Sequence, residues 1–286
     1  METNELDQIV NFRNYLKNET PLSNNTIKQY IHLVRRFIIT NGKGLEFTMQ
    51  DINSWIASKC RKKNYNLPPY AMQHFLISLG RKDLVHKIMH QKVMPRKKVF
   101  RYIEKKILEE IINSLDWPYQ LYALMQVKAG FRIRELLLLK IQNLDFHRNN
   151  NLIYITLGAD TKGSKGRLTR ISKKYKPIIK KQLKGRTFGY MFIPENKQGS
   201  KEKIDRWCDN EIRYFNDRLF KLGQEHDING MSSHYLRHCF SDYFMEIENS
   251  SIVQLQRILG HSHLNTTANY INDHDKNIDN IFESMD

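Results

Sequence analysis

Two histidines and a tyrosine lie close together near the carboxyl end of the chain. The stretch ILGHSHLNTTANYI, residues 258–271, contains His261, His263 and Tyr270. Two histidines separated by one residue are compatible with a metal site, and a tyrosine can act as a nucleophile that bonds covalently to its substrate. Tyr270 could equally be a core residue. The other polar motifs of the chain have to distinguish these three interpretations.

A second motif, SSHYLRHCFSDYF, combines a histidine with an arginine. His234 and Arg237 are three residues apart, so both project from about the same face of a helix. An imidazole can transfer protons near neutral pH, and a guanidinium group can bind phosphate oxygens. The pattern therefore favours chemistry on a phosphate group, with the adjacent His238 as a packing or orienting residue.

A third motif, AGFRIRELLLLKIQNLD, places an arginine where one helix follows another. Gly130 ends the first helix, and Arg132 and Glu135 begin the second, where free N–H groups and the helix dipole favour anions. Taken alone, the motif also fits a surface arginine paired with Glu135 three residues later.

A fourth motif, DTKGSKGR, is rich in glycine and basic residues. Its glycines allow a tight turn that projects Lys162 forward, with Lys165 and Arg167 beside it. The strand-like stretches LIYITL and RLTRIS on either side predict a β-hairpin over 152–172. A solvated basic loop is the alternative for the tip.

Composition points to a polyanionic partner. The chain has 286 residues, and Lys and Arg outnumber Asp and Glu by 46 to 30, which gives a net charge of +16. Such a basic chain with ample apolar content is typical of nucleic-acid binding. The three cysteines, Cys60, Cys208 and Cys239, form no CxxC pair, so neither a disulfide framework nor a structural zinc site is indicated. Without a signal-like or membrane-length apolar run, we expect a cytoplasmic, nucleoid-associated protein.

The remaining patterns are mostly helical, so the predicted fold is mainly α with a small β-sheet. Two helices are expected over 5–40, and the second has an apolar stripe that includes Tyr30. Its opposite face carries Lys28, Arg35 and Arg36. Further helices are expected at 49–60, 69–79, 82–91, 104–115 and 119–130.

The four motifs, in their order along the chain, resemble the tyrosine recombinase or phage-type integrase family, including its Xer-like members. They are G-F-R-I-R-E, T-K-G-S-K-G-R, H-Y-L-R-H, and L-G-H followed by T-T-A-N-Y. The N-terminal L-S-x-N-T-x-x-x-Y pattern resembles the helical core-binding domain of that family. The resemblance implies a SAM-like DNA-binding domain over 1–92, a basic linker over 93–103 and a mixed α+β catalytic domain over 104–286.

The same resemblance implies a role for each motif residue. The implied catalytic residues are Arg132, Lys162, His234, Arg237, His261 and the nucleophile Tyr270, with Glu135 as support. Candidate DNA-binding residues are Lys28, Tyr30, Arg35, Arg36, Lys165 and Arg167. Arg134, where the family usually has a small residue, and Cys239, where a threonine is common, depart from the pattern.

The predicted activity is site-specific cutting and rejoining of DNA strands through a 3′-phosphotyrosine, without metal or other cofactor. The expected partner is a double-stranded recombination site. The resemblance implies a tetramer on this site, formed through the apolar tail NIDNIFESMD, and docking of the tail on its own domain is the alternative. A non-catalytic DNA-binding protein and a type IB topoisomerase are the alternatives. A metal hydrolase using His234, His261 and His263 would lack the carboxylates that usually complete such a site.

Overall fold

Apolar residues at helical spacing form four α-helices among the described residues of the first part of the chain. They are α1 (Thr3–Asn18), α2 (Asn24–Asn41), α3 (Met49–Cys60) and α4 (Leu67–Ser78), followed by a 3₁₀ helix, Lys82–Lys87. The predicted helix over 82–91 is therefore a shorter 3₁₀ segment. The structure is a computed structural model that describes residues 3–42, 45–60, 67–90, 100–148, 151–158, 166–247 and 250–261.

These helices enclose one core within the first of two compact units, Met1–Lys98 and Val99–Asp286. The α2 helix begins after Ser23, whose hydroxyl accepts a hydrogen bond from the Thr26 backbone N–H at 3.1 Å. Aromatic rings fill the centre, with Phe12 against Phe75 and Phe37 against Trp55. The burial of this apolar surface is what holds the short helices together.

The second unit contains seven α-helices among the residues that the structure describes. They are α5 (Lys105–Asn113), α6 (Tyr119–Ala129), α7 (Ile133–Leu137), α8 (Lys176–Leu183), α9 (Lys201–Glu225), α10 (Ser233–Met245) and α11 (Ile252–Leu259). Short 3₁₀ helices lie at Ile141–Asn143, Lys173–Tyr175 and Glu195–Lys197. The α6 helix is apolar on most of its circumference and lies in the middle of the core, as an all-round apolar helix should.

A small antiparallel sheet covers one side of this core. Its strands are β1 (Leu144–Asp145), β2 (Leu152–Leu157) and β3 (Arg167–Ser172), in the order β1-β2-β3. Leu152 pairs with Ser172 and Leu157 with Arg167, so the predicted hairpin is confirmed. The Thr169 hydroxyl donates a hydrogen bond to the Ala129 carbonyl at 2.8 Å, which fixes β3 against the end of α6. The predicted fold class, mainly α with a small sheet, is also confirmed.

The end of the predicted linker belongs to the second unit. Ile103 is buried in its core, and the Tyr243 hydroxyl donates a hydrogen bond to the Ile103 carbonyl at 2.7 Å. The Tyr235 hydroxyl does the same to the Arg101 carbonyl at 2.7 Å. Residues 100–103 are therefore attached to α10 rather than extended as a free connector.

None of the helices described here is both long and apolar enough to cross a membrane.

Candidate active site

The turn between α6 and α7 positions the first catalytic candidate. Gly130 ends α6 with a left-handed backbone, and a side chain there would meet the Phe240 ring at 2.7 Å. Arg132 caps α7, its backbone N–H donating to Glu135 at 2.9 Å and its guanidinium donating to the same carboxylate at 2.6 Å. The α7 helix has only five residues, so its dipole contributes little positive charge at its N-terminus. The Arg132 side chain provides most of the positive charge there.

Glu135 binds a second arginine besides Arg132. This is Arg167 of β3, whose side chain is buried. Arg167 donates two parallel hydrogen bonds to the Glu135 carboxylate, at 2.8 and 2.7 Å. The side chains of Arg167 and Glu135 are only 4% and 5% exposed. Burial by itself raises the pKa of Glu135, but donation and charge from Arg167 and hydrogen bonds from Arg132 lower it to about 2.

Arg237, on α10, is the most deeply buried of these cations. Its two terminal nitrogens donate to the carbonyls of Gly130 and Leu259, each at 2.6 Å. These carbonyls lie at the carboxyl ends of α6 and α11, where the helix dipole favours a positive charge. The Glu135 carboxylate is 3.7 Å away, so the buried guanidinium also has a counter-charge.

His261 follows the left-handed Gly260 that ends α11. Its Nε2 lies 3.2 Å from a nitrogen of Arg237, which can only donate, so Nε2 accepts this hydrogen bond and Nδ1 carries the proton. Burial, and then the charges of Arg237, Arg132 and Arg167, lower the pKa of His261 to about 4. The imidazole is therefore neutral at pH 7, where it acts as a hydrogen-bonding group rather than a cation.

His234 lies one turn before Arg237 on α10 and is exposed. The His238 ring lies 5.0 Å from it, edge to face, and is itself stacked on Phe100 with 3.7 Å between ring centres. Phe100 also meets the Tyr235 ring edge-on at 5.1 Å. The side of α10 that carries His234 is thus packed against the first residues of the second unit.

Three separated motifs of the chain therefore converge. A carboxylate at Glu135 joins Arg132 and Arg237, and Arg237 in turn contacts His261. A sequence model described as the Phage integrase family matches residues 101–277, which is more than half of the chain.

The chain belongs to the phage integrase family. It is a tyrosine recombinase, an enzyme that transfers DNA strands.

Curated relatives of this recombinase cover nearly its whole length. It is 30% identical over 282 residues to Tyrosine recombinase XerA of Thermococcus kodakarensis, covering 94% of this chain and 91% of that protein. It is 29% identical over 285 residues to Tyrosine recombinase XerA of Pyrococcus horikoshii, covering 93% of this chain and 91% of that protein.

Solved structures share the fold of this recombinase at low sequence identity. The Tn1549 transposon integrase in complex with transposon right end DNA has a TM-score of 0.63 and 14% identity, covering 97% of this chain and 98% of that one. A lambda integrase dimer bound to a COC′ core site has a TM-score of 0.60 and 14% identity, covering 94% of this chain and 77% of that one. These similarities support the fold alone.

Several predicted site residues lie outside the described part of the recombinase. They are Lys162 and Lys165 at the predicted hairpin tip, and Tyr270 after α11; His263, considered only for the metal alternative, lies outside it as well. The described residues therefore bring together Arg132, Glu135, Arg237 and His261, with His234 on the same helix as Arg237.

The candidate DNA-binding residues divide by exposure. Lys28, Arg35 and Arg36 are exposed on one side of α2. Tyr30 is instead buried in the first core, 5.6 Å from the His74 ring, so its burial argues against a direct DNA contact. Arg167 is paired with Glu135 inside the second unit rather than exposed like the α2 cations.

The sequence contained a signal for the burial of Arg167. In β3 the buried positions alternate, and Arg167, Thr169 and Ile171 share the inward face. A charged side chain on the inward face of a strand needs a buried counter-charge, and Glu135 provides it. Phe100 gave no comparable signal, because an aromatic residue beside a basic stretch is compatible with many positions.

The part of the chain that the structure describes contains no group of three or more His, Cys, Asp or Glu side chains suited to hold a metal ion. The Nε2 atom of His261 is occupied by the donor nitrogen of Arg237. Arg134, the departure from the family pattern, forms ion pairs with Asp205 and Asp209 of α9, at 2.7 and 2.6 Å.

Proposed function

We propose that this recombinase cuts and rejoins duplex DNA at a specific site through a 3′-phosphotyrosine formed by Tyr270. The observation that carries the proposal is the cluster of Arg132, Arg237 and His261 around Glu135, assembled from three separated motifs. Two guanidinium groups and a neutral imidazole form a set of donors suited to the oxygens of one phosphate group. Membership of the phage integrase family supports the same reaction.

In the first step the Tyr270 oxygen attacks the phosphorus of one DNA strand, and the bond from phosphorus to the 5′ oxygen breaks. His234 accepts the phenolic proton, and Lys162 donates a proton to the leaving 5′ oxygen. In the second step the 5′-hydroxyl of another strand attacks the phosphotyrosine, and the Tyr270 oxygen leaves. The energy of the phosphodiester bond is thereby kept in the protein–DNA bond.

The arginine cluster stabilises the charge that builds up on phosphorus-bound oxygens during each step. Arg132 is the more accessible of the two family arginines, with 38% of its side chain exposed. Arg237 is held in a fixed orientation by the carbonyls of Gly130 and Leu259, so little reorganisation is needed when charge develops. The neutral His261 contributes a hydrogen bond. No metal or nucleotide enters this scheme.

The partner in this proposal is a double-stranded recombination site, on which the enzyme assembles as a tetramer through residues 277–286. The apolar residues of that tail support this, since Ile278, Ile281, Phe282 and Met285 follow helical spacing. Sedimentation of the protein with its DNA site measures this stoichiometry. Four chains on two duplexes are expected, and a complex that never exceeds two chains contradicts the tetramer. A cytoplasmic, nucleoid-associated location follows from a DNA substrate.

The test begins by finding the DNA site. Wild-type protein is incubated with sheared genomic DNA of its own source, and covalently bound fragments are recovered after denaturation in SDS and sequenced. A duplex of the recovered sequence, nicked beside the mapped cleavage point, then traps the intermediate because the released fragment diffuses away. Wild-type protein should form a stable covalent adduct, and Tyr270→Phe should bind the duplex with similar affinity without forming any.

Two outcomes would contradict the proposal. An adduct formed by Tyr270→Phe would show that another residue is the nucleophile, and loss of wild-type cleavage in EDTA would indicate a metal-dependent reaction. Relaxation of plasmids that lack the recovered site would favour a topoisomerase instead of a site-specific recombinase. Tyr190→Phe, at another tyrosine of the same unit, is a matched control for the loss of a hydroxyl group.

A further inference from the structure

Three arginines surround one carboxylate at the centre of the second unit. Arg132 donates to Glu135 at 2.6 Å, Arg167 donates to both of its oxygens, and Arg237 lies 3.7 Å from it. Two of these arginines belong to the proposed phosphate-binding set. The third, Arg167, lies outside that set, and both of its terminal nitrogens donate to Glu135.

We propose that Arg167 is a positioning residue for strand transfer, which holds Glu135 in place and balances its charge so that Arg132 and Arg237 remain available to the phosphate. This inference rests on the proposed function, because it concerns the same phosphate site. Arg167 acts through Glu135 and does not touch the DNA.

Arg167 fixes the orientation of the Glu135 carboxylate. Both carboxylate oxygens of Glu135 accept from Arg167, which fixes the plane of the carboxylate, as paired arginine–carboxylate contacts do. The side chain of Arg132 donates to Glu135 through one terminal nitrogen, according to the contacts among the described residues. Its remaining donors are then free to meet a phosphate group.

Arg167 also balances the charge of the cluster. Three guanidinium groups and one carboxylate give the cluster a net charge of about +2, and without Arg167 this falls to about +1. A buried carboxylate that loses its main partner draws more strongly on its remaining ones. Glu135 would therefore compete with the phosphate for Arg132 and Arg237.

Arg167 also contacts the turn that carries His261. A side chain at Gly260 would meet the Arg167 Cδ at 2.9 Å, so the Arg167 stem lies directly against this turn. Gly260 has a left-handed backbone with φ of 67°, which also favours glycine. Arg167 thereby links β3, Glu135 and the end of α11, the three supports of the cluster.

The test compares Arg167→Met with Arg170→Met. Arg170 lies three residues later on β3, is exposed and stacks on Tyr154, so it provides the same substitution on the opposite face. Each variant is assayed for folding by thermal melting, for affinity to the recovered DNA site, and for the single-turnover rate of adduct formation on the nicked duplex. Arg167→Met should bind DNA but form adduct about 50-fold more slowly, somewhat less than the roughly 100- to 1,000-fold cost of removing a direct donor to a transition state, because Arg167 acts through Glu135. Arg170→Met should keep the wild-type rate.

Two further measurements separate charge balance from loss of structure. The double variant Arg167→Met with Glu135→Gln removes the carboxylate that competes for the arginines, and it should recover roughly tenfold of the lost rate. Cleavage of a duplex with a neutral methylphosphonate at the cleavage point requires less stabilisation by positive charge, because its transition state carries less negative charge. On it, the defect of Arg167→Met should shrink to less than about fivefold. Arg167→Lys keeps the positive charge but can make only one contact with Glu135, so its rate of adduct formation should lie between those of wild type and Arg167→Met.

The proposal is overturned if Arg167→Met forms adduct as fast as Arg170→Met. It is also overturned if the slowing of adduct formation in Arg167→Met is equal on the phosphodiester and methylphosphonate duplexes and is not relieved by Glu135→Gln. Should Arg167→Met fail to fold, Arg167→Lys and the double variant carry the same comparisons. A wild-type chain that forms no adduct would instead contradict the proposed function, so the two failures are distinguishable.

Discussion

The protonation state of His261 follows from where the chain places it. The imidazole is buried next to Arg237 and close to Arg132 and Arg167, and its pKa is lowered to about 4. A neutral histidine can share a small space with three guanidinium groups, whereas a charged one would be repelled. An arriving phosphate carries the opposite charge, so it should raise this pKa and strengthen the hydrogen bonds of His261.

Stability should therefore fall in acid partly because of His261. The unfolded imidazole has a pKa of 6.5 and the folded one about 4, so the unfolded chain takes up the proton first. The resulting loss of stability begins as the pH falls below 6.5 and is complete near 4. Urea unfolding at pH 7.0 and 4.5 should show that His261→Gln loses about 2 kcal/mol less than wild type on acidification. Equal losses in the two proteins would show that burial does not hold His261 neutral.

Glu135 contributes to acid sensitivity in a lower range. Its pKa falls from 4.5 in the unfolded chain to about 2 in the fold, so its stabilising contribution is present above 4.5 and is lost as the pH falls toward 2. The two pH ranges overlap little, which allows the contribution of His261 to be measured first.

The sequence predicted which residues belong to the site better than it predicted which of them are buried. Motif order along the chain selected Arg132, Arg237 and His261, and these residues do lie together. The basic motif DTKGSKGR, however, suggested that Arg167 faces DNA, because charge alone does not distinguish a surface cation from a paired buried one. Tyr30 shows the same difficulty, since its position on an apolar stripe indicated the core and its motif indicated DNA.

Among the elements, α10 depends on the residues that precede α5. Phe100 stacks on His238, and the Tyr235 and Tyr243 hydroxyls bind the carbonyls of Arg101 and Ile103. The salt bridge from Lys105 to Glu246, at 2.6 Å, extends this attachment toward the end of α10, although surface pairs of this kind contribute little. Packing along one side of α10 therefore orients the helix that carries His234 and Arg237.

Removal of the Phe100 ring should slow strand cleavage more than it weakens DNA binding. In Phe100→Ala the stacking on His238 is lost, so His238 and the neighbouring His234 gain freedom, and we expect adduct formation to slow about tenfold. Phe100→Tyr keeps the ring and should stay close to wild type. Single-turnover adduct assays and DNA-binding measurements on both variants make the comparison. A wild-type rate for Phe100→Ala would mean that the ring serves only packing.

Periodicity predicted most elements, and local geometry explains the exceptions. The hairpin followed from two alternating stretches around a glycine-rich turn, and its register places Leu157 opposite Arg167. The segment after α4 was predicted as a helix over 82–91 but forms a 3₁₀ helix at Lys82–Lys87. Six residues form too few hydrogen bonds to sustain an α-helix without more packing. Tertiary packing of 100–103 on α10 has no periodic signature, so the sequence did not indicate this attachment.

For the whole molecule, an excess of positive charge implies binding that depends strongly on salt. The net charge is +16, and Lys28, Arg35 and Arg36 lie together on the exposed side of α2. If this side contacts the DNA backbone, each residue releases about one counterion on binding. The recombinase should then lose affinity steeply as salt concentration rises.

Replacement of Lys28, Arg35 and Arg36 by glutamine should reduce the slope of log affinity against log salt by about 2 to 3. A triple substitution of Lys180, Lys181 and Lys184 removes the same charge from the region of α8 and should change the slope by less than about 1. Titrations of the recovered DNA site at several salt concentrations give both slopes. Equal slopes for the two triple variants would mean that α2 has no special contact with DNA.

The two carbonyl contacts of Arg237 have a consequence for the choice of inactive enzymes. A substitution such as Arg237→Ala would remove a phosphate ligand, but it would also leave the Gly130 and Leu259 carbonyls inside the protein without their donor. The joint between the carboxyl ends of α6 and α11 would loosen in the same experiment. An inactive Arg237 variant therefore confounds chemistry with architecture, whereas a nucleophile variant keeps the scaffold intact and is the cleaner trap for protein–DNA complexes.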